Sequence, residues 1–279
     1  MSLADSMTAP ADRTAPAAGN SAHAPPLIEA SNLSISFGGI RAVDDVSFSV
    51  AKGEIFAIVG PNGAGKSTIF NLISRIYEPT GGRLTFEGED ITNVAPHTIA
   101  RRGIARTFQN IELFEHATVL DNLLIGRHCR ARPNILAEML FTPGVRREEL
   151  RHREAVEEVI DFLDLANYRD QRISGLPYGV RKVVELARAL CAKPRLLLLD
   201  EPASGLNTEE TEEVAFWIDD IKNDLGITVI MIEHDMSLVS AVSDRVLALN
   251  NGRTLALGTP AQVQSDPAVI EAYLGGEAP

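Results

Sequence analysis

Cysteine is scarce in this chain of 279 residues: Cys129 and Cys191 stand far apart, without the close spacing of a metal-ligand set. A thiol pair so sparse suits a reducing cytoplasm. The six histidines form no i, i+4 pair and no cluster with the cysteines, so no protein-ligated metal cage is expected. No apolar run approaches the roughly 18–20 residues that span a bilayer. The N-terminus also lacks the basic-then-apolar order of a secretory signal. Any membrane role must therefore come through a partner. Positive charge is in short supply too, with 26 Lys and Arg against 38 Asp and Glu, a net charge of -12. That argues against a general nucleic-acid binder, which carries a basic face. An anionic ligand stays possible, because anion sites are local and use backbone N–H groups.

What is present is an ordinary globular composition, 45% apolar and 23% charged, in a chain long enough for one large core or a core with an inserted subdomain. Residues 1–26 are rich in Ala, Pro and Ser and lack large apolar periodicity. They cannot bury enough surface to offset ordering entropy and read as a flexible extension, with the ordered domain running from 27 to 279. "LIEASNLSISF" and "VSFSV" alternate apolar and polar residues, as half-buried antiparallel strands do. "EIFAIVG", "RLLLLD" (Arg195 to Asp200) and "ITVIMIE" (Ile227 to Glu233) are nearly continuous apolar runs, which suit strands of a parallel sheet covered on both faces. Asn207 with Glu210 three residues on makes a capping box, and Val214, Ile218, Ile221 and Leu225 then mark one helical face. Cys191 follows "ARAL" on a helical pattern and reads as a small buried hydrophobe. The block from about 110 to 180 is mostly helical, and its charge run "RREELRHREAVEEV" reads as a solvated helix face in an inserted subdomain.

Two motifs carry chemistry. "GPNGAGKST" places Gly60, Pro61, Asn62, Gly63, Ala64, Gly65, Lys66, Ser67 and Thr68 in the order of a phosphate-binding loop between a buried strand and a helix. Its glycines let successive N–H groups turn inward around phosphate oxygens. Lys66 adds a point charge at the β and γ phosphates, and Ser67 offers a hydroxyl to Mg²⁺. "LLLLDEP" ends a buried strand with Asp200, able to hold Mg²⁺ directly or through water, and Glu201, able to orient or deprotonate an attacking water.

With these motifs in place, the chain resembles the ATPase subunit of ATP-binding cassette transporters over roughly Leu27 to Leu274. The resemblance implies an α/β fold: a P-loop NTPase (RecA-like) core with an antiparallel β subdomain and an inserted α-helical subdomain. It also implies ATP and Mg²⁺ as ligands. Phe37 matches the adenine-stacking aromatic, Gln109 in "RTFQN" the glutamine that senses Mg²⁺ and the γ-phosphate, and His234 in "IEHDM" the switch histidine. Glu201, His234, Gln109 and Lys66 are then the expected catalytic residues, and Ser67, Gln109 and Asp200 the Mg²⁺ ligands. "SGLN" (Ser204 to Asn207) takes the place of the D-loop.

The family's ATP lies between two subunits arranged head to tail, each offering the other its signature loop. Here "LPYGV" (Leu176 to Val180) stands for "LSGGQ". Pro177 donates neither hydroxyl nor N–H, and Val180 brings no polar group, which leaves Tyr178 and Gly179 to meet the partner's nucleotide. A weakened site of this kind points to an unequal pair of sites and a non-identical second ATPase subunit.

"GIARTFQNIELFEHATVLDNLLIGRH", "NILAEMLFTPGVRREE" and "GTPAQVQSDPAVIEAYLG" are similar to the branched-chain amino acid importer branch. That branch implies integral membrane permease subunits, an external solute-binding protein acting through them, and a cytoplasmic place on the inner face of the membrane. The apolar Ile111, Leu113, Phe114, Val119 and Leu120 would suit a groove for a permease helix, or plain subdomain core. Related amide or urea importers share much of this wording. A soluble cassette ATPase or a non-hydrolysing switch are further alternatives; the single Walker A loop and lack of heptads weigh against the first, Glu201 against the second.

Overall fold

The alternating runs near the start close on each other as a hairpin. In the computed structural model, which describes residues 25–107, 111–128 and 143–274, β1 (Ile28–Phe37) pairs antiparallel with β2 (Ile40–Val50). β4 (Gly81–Phe86) and β5 (Glu89–Asp90) complete a four-stranded antiparallel sheet in the order β2-β1-β4-β5. Gln109, Cys129, the first 24 residues and 129–142 of the helical block lie outside the described residues.

The continuous apolar runs form the second sheet. β3 (Ile55–Val59), β7 (Leu196–Asp200) and β8 (Thr228–Ile232) are each five consecutive buried residues. With β6 (Ile104–Arg106), β9 (Arg245–Asn250) and β10 (Arg253–Gly258) they build a six-stranded sheet in the order β10-β9-β3-β8-β7-β6. Every pairing in it is parallel except the β9–β10 hairpin.

Side-chain alternation along these strands splits the interior into two cores. Phe56, Ile58, Leu196, Leu198, Ile230 and Ile232 face the antiparallel sheet and α1 (Lys66–Ile73). Ile55, Ala57, Val59, Leu197, Leu199, Val229 and Met231 face the helical layer. A buried leucine on either face contributes about 1.5–3 kcal/mol. Both faces are covered, so an alternating polar pattern would be costly here, and none is found.

The helical layer holds α3 (Val119–Arg127), α4 (Pro143–Phe162), α5 (Tyr178–Cys191) and α6 (Thr208–Asn223). The short α2 (Pro96–Ile99) lies outside it, with Ile99 buried in the core on the antiparallel-sheet side. On α4 only Ala155, Val156, Val159 and Ile160 are buried, and the acidic and basic residues of the charge run lie along its open sides. Asn207 and Glu210 form the expected capping box of α6. One expected core position differs: α6 buries Val214, Ile218 and Ile221 but ends at Asn223, and Leu225 is 44% exposed in the turn that follows. The turn needs Gly226 at a positive φ of 64°, which breaks the helix before its period reaches Leu225.

Cys191 closes α5 with its side chain fully buried, and desolvation pushes its thiol up to about 12. We expect the folded Cys129→Ser protein to resist a thiol reagent at pH 8 and to react stoichiometrically once unfolded in guanidinium. Rapid labelling of the folded protein would contradict the burial.

Candidate functional site

The loop from Gly60 to Gly65 joins β3 to α1, and its shape follows from three glycines at positive φ: 150° at Gly60, 80° at Gly63 and 101° at Gly65. Close backbone approach demands the first and last of these. A Cβ on Gly65 would stand 2.5 Å from the Ala42 carbonyl, and one on Gly60 would strike the Leu249 carbonyl. Gly65 caps α1 without any side-chain hydrogen bond. The first amides of that eight-residue helix are therefore left for an anion.

Lys66 is buried and donates to the carbonyls of Gly60 (2.7 Å) and Pro61 (3.0 Å), so its ammonium sits within the curl of the loop. Burial lowers its pKa, and the nearby Glu201 and Asp200 carboxylates oppose that shift. Ser67 and Thr68 follow in the first turn of α1.

Asp200 ends β7, 4% exposed. Its neighbour Glu201 adopts a left-handed backbone, φ 51°, with its N–H donating to the Ile232 carbonyl at 3.0 Å. A non-glycine residue held there stores strain, as is usual where a side chain is aimed for function. Ile232 lies opposite Asp200 in the parallel pairing, so Glu201 and His234 emerge from neighbouring strand ends, His234 being exposed.

Buried Glu233 joins those two ends. Its carboxylate accepts from the Ala203 amide (2.9 Å) and the His234 amide (3.1 Å). Burial pushes this carboxyl upward, and the amide bonds oppose the rise.

Phe37 is 43% exposed at the end of β1, with Tyr77 against it edge-on at 5.0 Å between ring centroids. Together they form an open aromatic shelf. Tyr178 donates its hydroxyl to the Ser204 carbonyl (3.3 Å) and lays its ring beside Gly205, while Gly179 lies against the Glu210 side chain. The turn that opens α5 is thus bonded to the Ser204–Gly205 segment of its own chain. Pro177 occupies the N-cap of α5 without a side-chain bond.

Several supporting residues escape sequence reasoning because their partners are remote. The Gly252 amide of the β9–β10 turn donates to the Ala64 carbonyl (3.0 Å), and its carbonyl accepts from the Asp44 amide (2.8 Å). Arg253 bonds the Asp44 carboxylate through Nε (2.9 Å) and Nη2 (2.7 Å). This hairpin braces the phosphate loop from behind. Tyr273, on the C-terminal helix Pro267–Leu274, is pushed upward by burial and held back by a hydrogen bond with the Gly60 backbone. Arg106, at the end of β6, donates to Asp200 Oδ2 (2.7 Å). Arg106 and Glu233 stand within "RTFQN" and "IEHDM", but neither stretch points to their remote partners, and Tyr77, Gly252 and Tyr273 carry no local signal.

A divalent cation fits the donor set. The Ser67 hydroxyl and the Asp200 carboxylate are hard oxygen ligands, of the kind Mg²⁺ takes. Among the described residues no group of three or more His, Cys, Asp and Glu side chains is placed to hold a metal.

Comparison with known proteins gives a consistent outcome. A family model described as ABC transporter matches residues 43–204, and one described as branched-chain amino acid ATP-binding cassette transporter matches residues 253–279. The high-affinity branched-chain amino acid transport ATP-binding protein BraF of Pseudomonas aeruginosa is 41% identical over 250 residues, covering 90% of this chain and 98% of that protein. LivG of Escherichia coli K12, described in the same words, is 38% identical over 250 residues with the same coverage. A crystal structure of an ATP-binding cassette of an ABC transporter in its ADP conformation is 34% identical and superposes with a TM-score of 0.80, covering 90% of this chain and 100% of that one.

Proposed function

The chain belongs to the ATP-binding cassette transporter family, and from that premise we propose that its ATP hydrolysis drives a membrane importer of branched-chain amino acids. It is an ABC ATPase, related to the LivG and BraF transport subunits along almost their full length. Among the described residues no helix is long and apolar enough to cross a membrane. In this reading, as in a transporter complex of the family, permease partners carry the solute path. The observation that carries the reading is the convergence of a phosphate loop, a buried Asp200, a strained Glu201 and His234 at neighbouring ends of β3, β7 and β8.

In this reading the loop amides from Gly60 to Thr68 and the Lys66 ammonium bind the triphosphate. Glu201 takes a proton from the attacking water, and His234 orients the γ-phosphate end. Ser67, Asp200 and Gln109 would hold a Mg²⁺ ion, which would supply positive charge to offset that of the phosphates. The adenine rests on Phe37. Phe37→Ala should weaken nucleotide binding about 5- to 150-fold, from a stacking contribution of roughly 1–3 kcal/mol. Isothermal titration with a non-hydrolysable ATP analogue measures it; an unchanged affinity would remove Phe37 from the site.

The second ATPase subunit is a non-identical one, and "LPYGV" completes its site less strongly than the partner's signature completes this one. The system is tested in vesicles holding this chain, its permease subunits and the partner ATPase. ATP turnover should rise when the external binding protein is supplied with leucine, isoleucine or valine. Stimulation by amides or urea alone would favour the related importer branch, and stimulation by neither would end the transport reading for these solutes.

A further inference from the structure

Arg106 is a protein cation in direct hydrogen-bonded contact with Asp200. It ends β6, next to β7 in the parallel sheet, 94 residues from its partner in sequence. Its Nη2 donates to Asp200 Oδ2 at 2.7 Å, with side-chain exposures of 12% and 5%. Its Nη1 donates to Asn71 Oδ1 (2.7 Å) and reaches Ser74 Oγ (3.4 Å). The guanidinium carbon lies 5.5 Å from the centroid of the Phe70 ring. Ser67, Asn71 and Ser74 are spaced i, i+4 and i+7, so they share one face of α1. Arg106 therefore bridges Asp200 at the end of β7 to the face of α1 that also carries Ser67.

We propose that Arg106 is an internal counter-cation for Asp200, which the Mg²⁺ of the nucleotide must share or displace, so that Arg106 sets how strongly nucleotide binding depends on Mg²⁺. This rests on the ATP-binding reading above and adds a positioning residue to it. The reason is electrostatic. A carboxylate this buried is costly without a cation beside it. With Arg106 present, Asp200 is already compensated before metal arrives, and the fixed positive charge also repels a second cation nearby. With Arg106 gone, the metal-free state loses its hydrogen-bonded counter-cation and keeps the Lys66 charge nearby, while the metal-bound state keeps the metal, so the difference between them widens. The geometric alternative, in which Arg106 only holds the two arms of the site in place, predicts the opposite sign.

The test measures binding of a non-hydrolysable ATP analogue by calorimetry, in excess EDTA and across a Mg²⁺ titration, for the full chain and its variants. Arg106→Met, similar in length and uncharged, should raise the Mg²⁺-dependent gain in affinity roughly 5- to 150-fold, the usual span for coupled sites. Affinity in EDTA should stay near that of the parent, which also shows that the nucleotide site is intact. Arg106→Lys keeps the charge and loses the fork, and should leave the Mg²⁺ dependence close to the parent's. If the methionine variant fails to fold, Arg106→Gln carries the same expectation with its polar contacts partly kept. An equal or smaller Mg²⁺ gain in the neutral variants, or a lysine variant that behaves like them, would overturn the proposal. No binding of the analogue by the parent chain, with or without Mg²⁺, would instead count against the nucleotide reading on which it rests.

Discussion

Glu201→Gln should lower ATP turnover about 10²- to 10⁴-fold, the usual contribution of a positioned general base. The substitution keeps the shape of the side chain and removes only its capacity to accept a proton. Glutamine meets the same left-handed backbone as glutamate at φ 51°, so the strain of the turn is unchanged. The Glu201 amide still reaches the Ile232 carbonyl, and Glu233 still ties Ala203 to His234. Phosphate loop and aromatic shelf lie elsewhere in the chain, so nucleotide affinity should remain near the parent value. With binding intact and hydrolysis stopped, an ATP-bound pair of cassettes should accumulate, visible by light scattering only when Mg²⁺ and ATP are both supplied. Turnover at the parent rate would mean that another group handles the proton.

Lys66→Ala should weaken binding of an ATP analogue about 10- to 100-fold while leaving the fold as stable as before. The affinity term comes from losing hydrogen bonds to a charged group, each worth about 1.5–3 kcal/mol. The stability term comes from what Lys66 does without ligand. Its ammonium rests on the Gly60 and Pro61 carbonyls, in a buried position that lowers its pKa. Alanine removes a desolvated cation and is itself a good first residue for α1. Calorimetry and a thermal melt on the same samples separate the two effects. A collapse in melting temperature with no specific loss of affinity would make Lys66 a structural residue.

Much of the layout was open to reading from pattern alone. The three apolar runs became β3, β7 and β8 because a strand covered on both faces has no use for polar alternation. The capping box at Asn207 is a bond between residues three apart, and it formed as read. Leu225 departed from its pattern because the chain turns at Gly226, a tertiary demand that helical periodicity does not register. Tyr178 could be singled out, but its bond to the Ser204 carbonyl, 26 residues away, could not.

The division has a physical cause. A phosphate loop draws its chemistry from consecutive N–H groups and the start of one helix, so Gly60 to Thr68 declare themselves in nine adjacent residues. Charge compensation and bracing need side chains or amides from segments that meet only after the sheet has formed. Arg106 and Asp200 are 94 positions apart, and the Gly252 amide that supports Ala64 arrives from the far end of the chain. The sequence by itself determined the glycine loop and the carboxylates that end its buried strands, because both are built from adjacent residues; only the tertiary structure decided what balances Asp200, what braces the loop, and that Glu233 ties two neighbouring strand ends to each other.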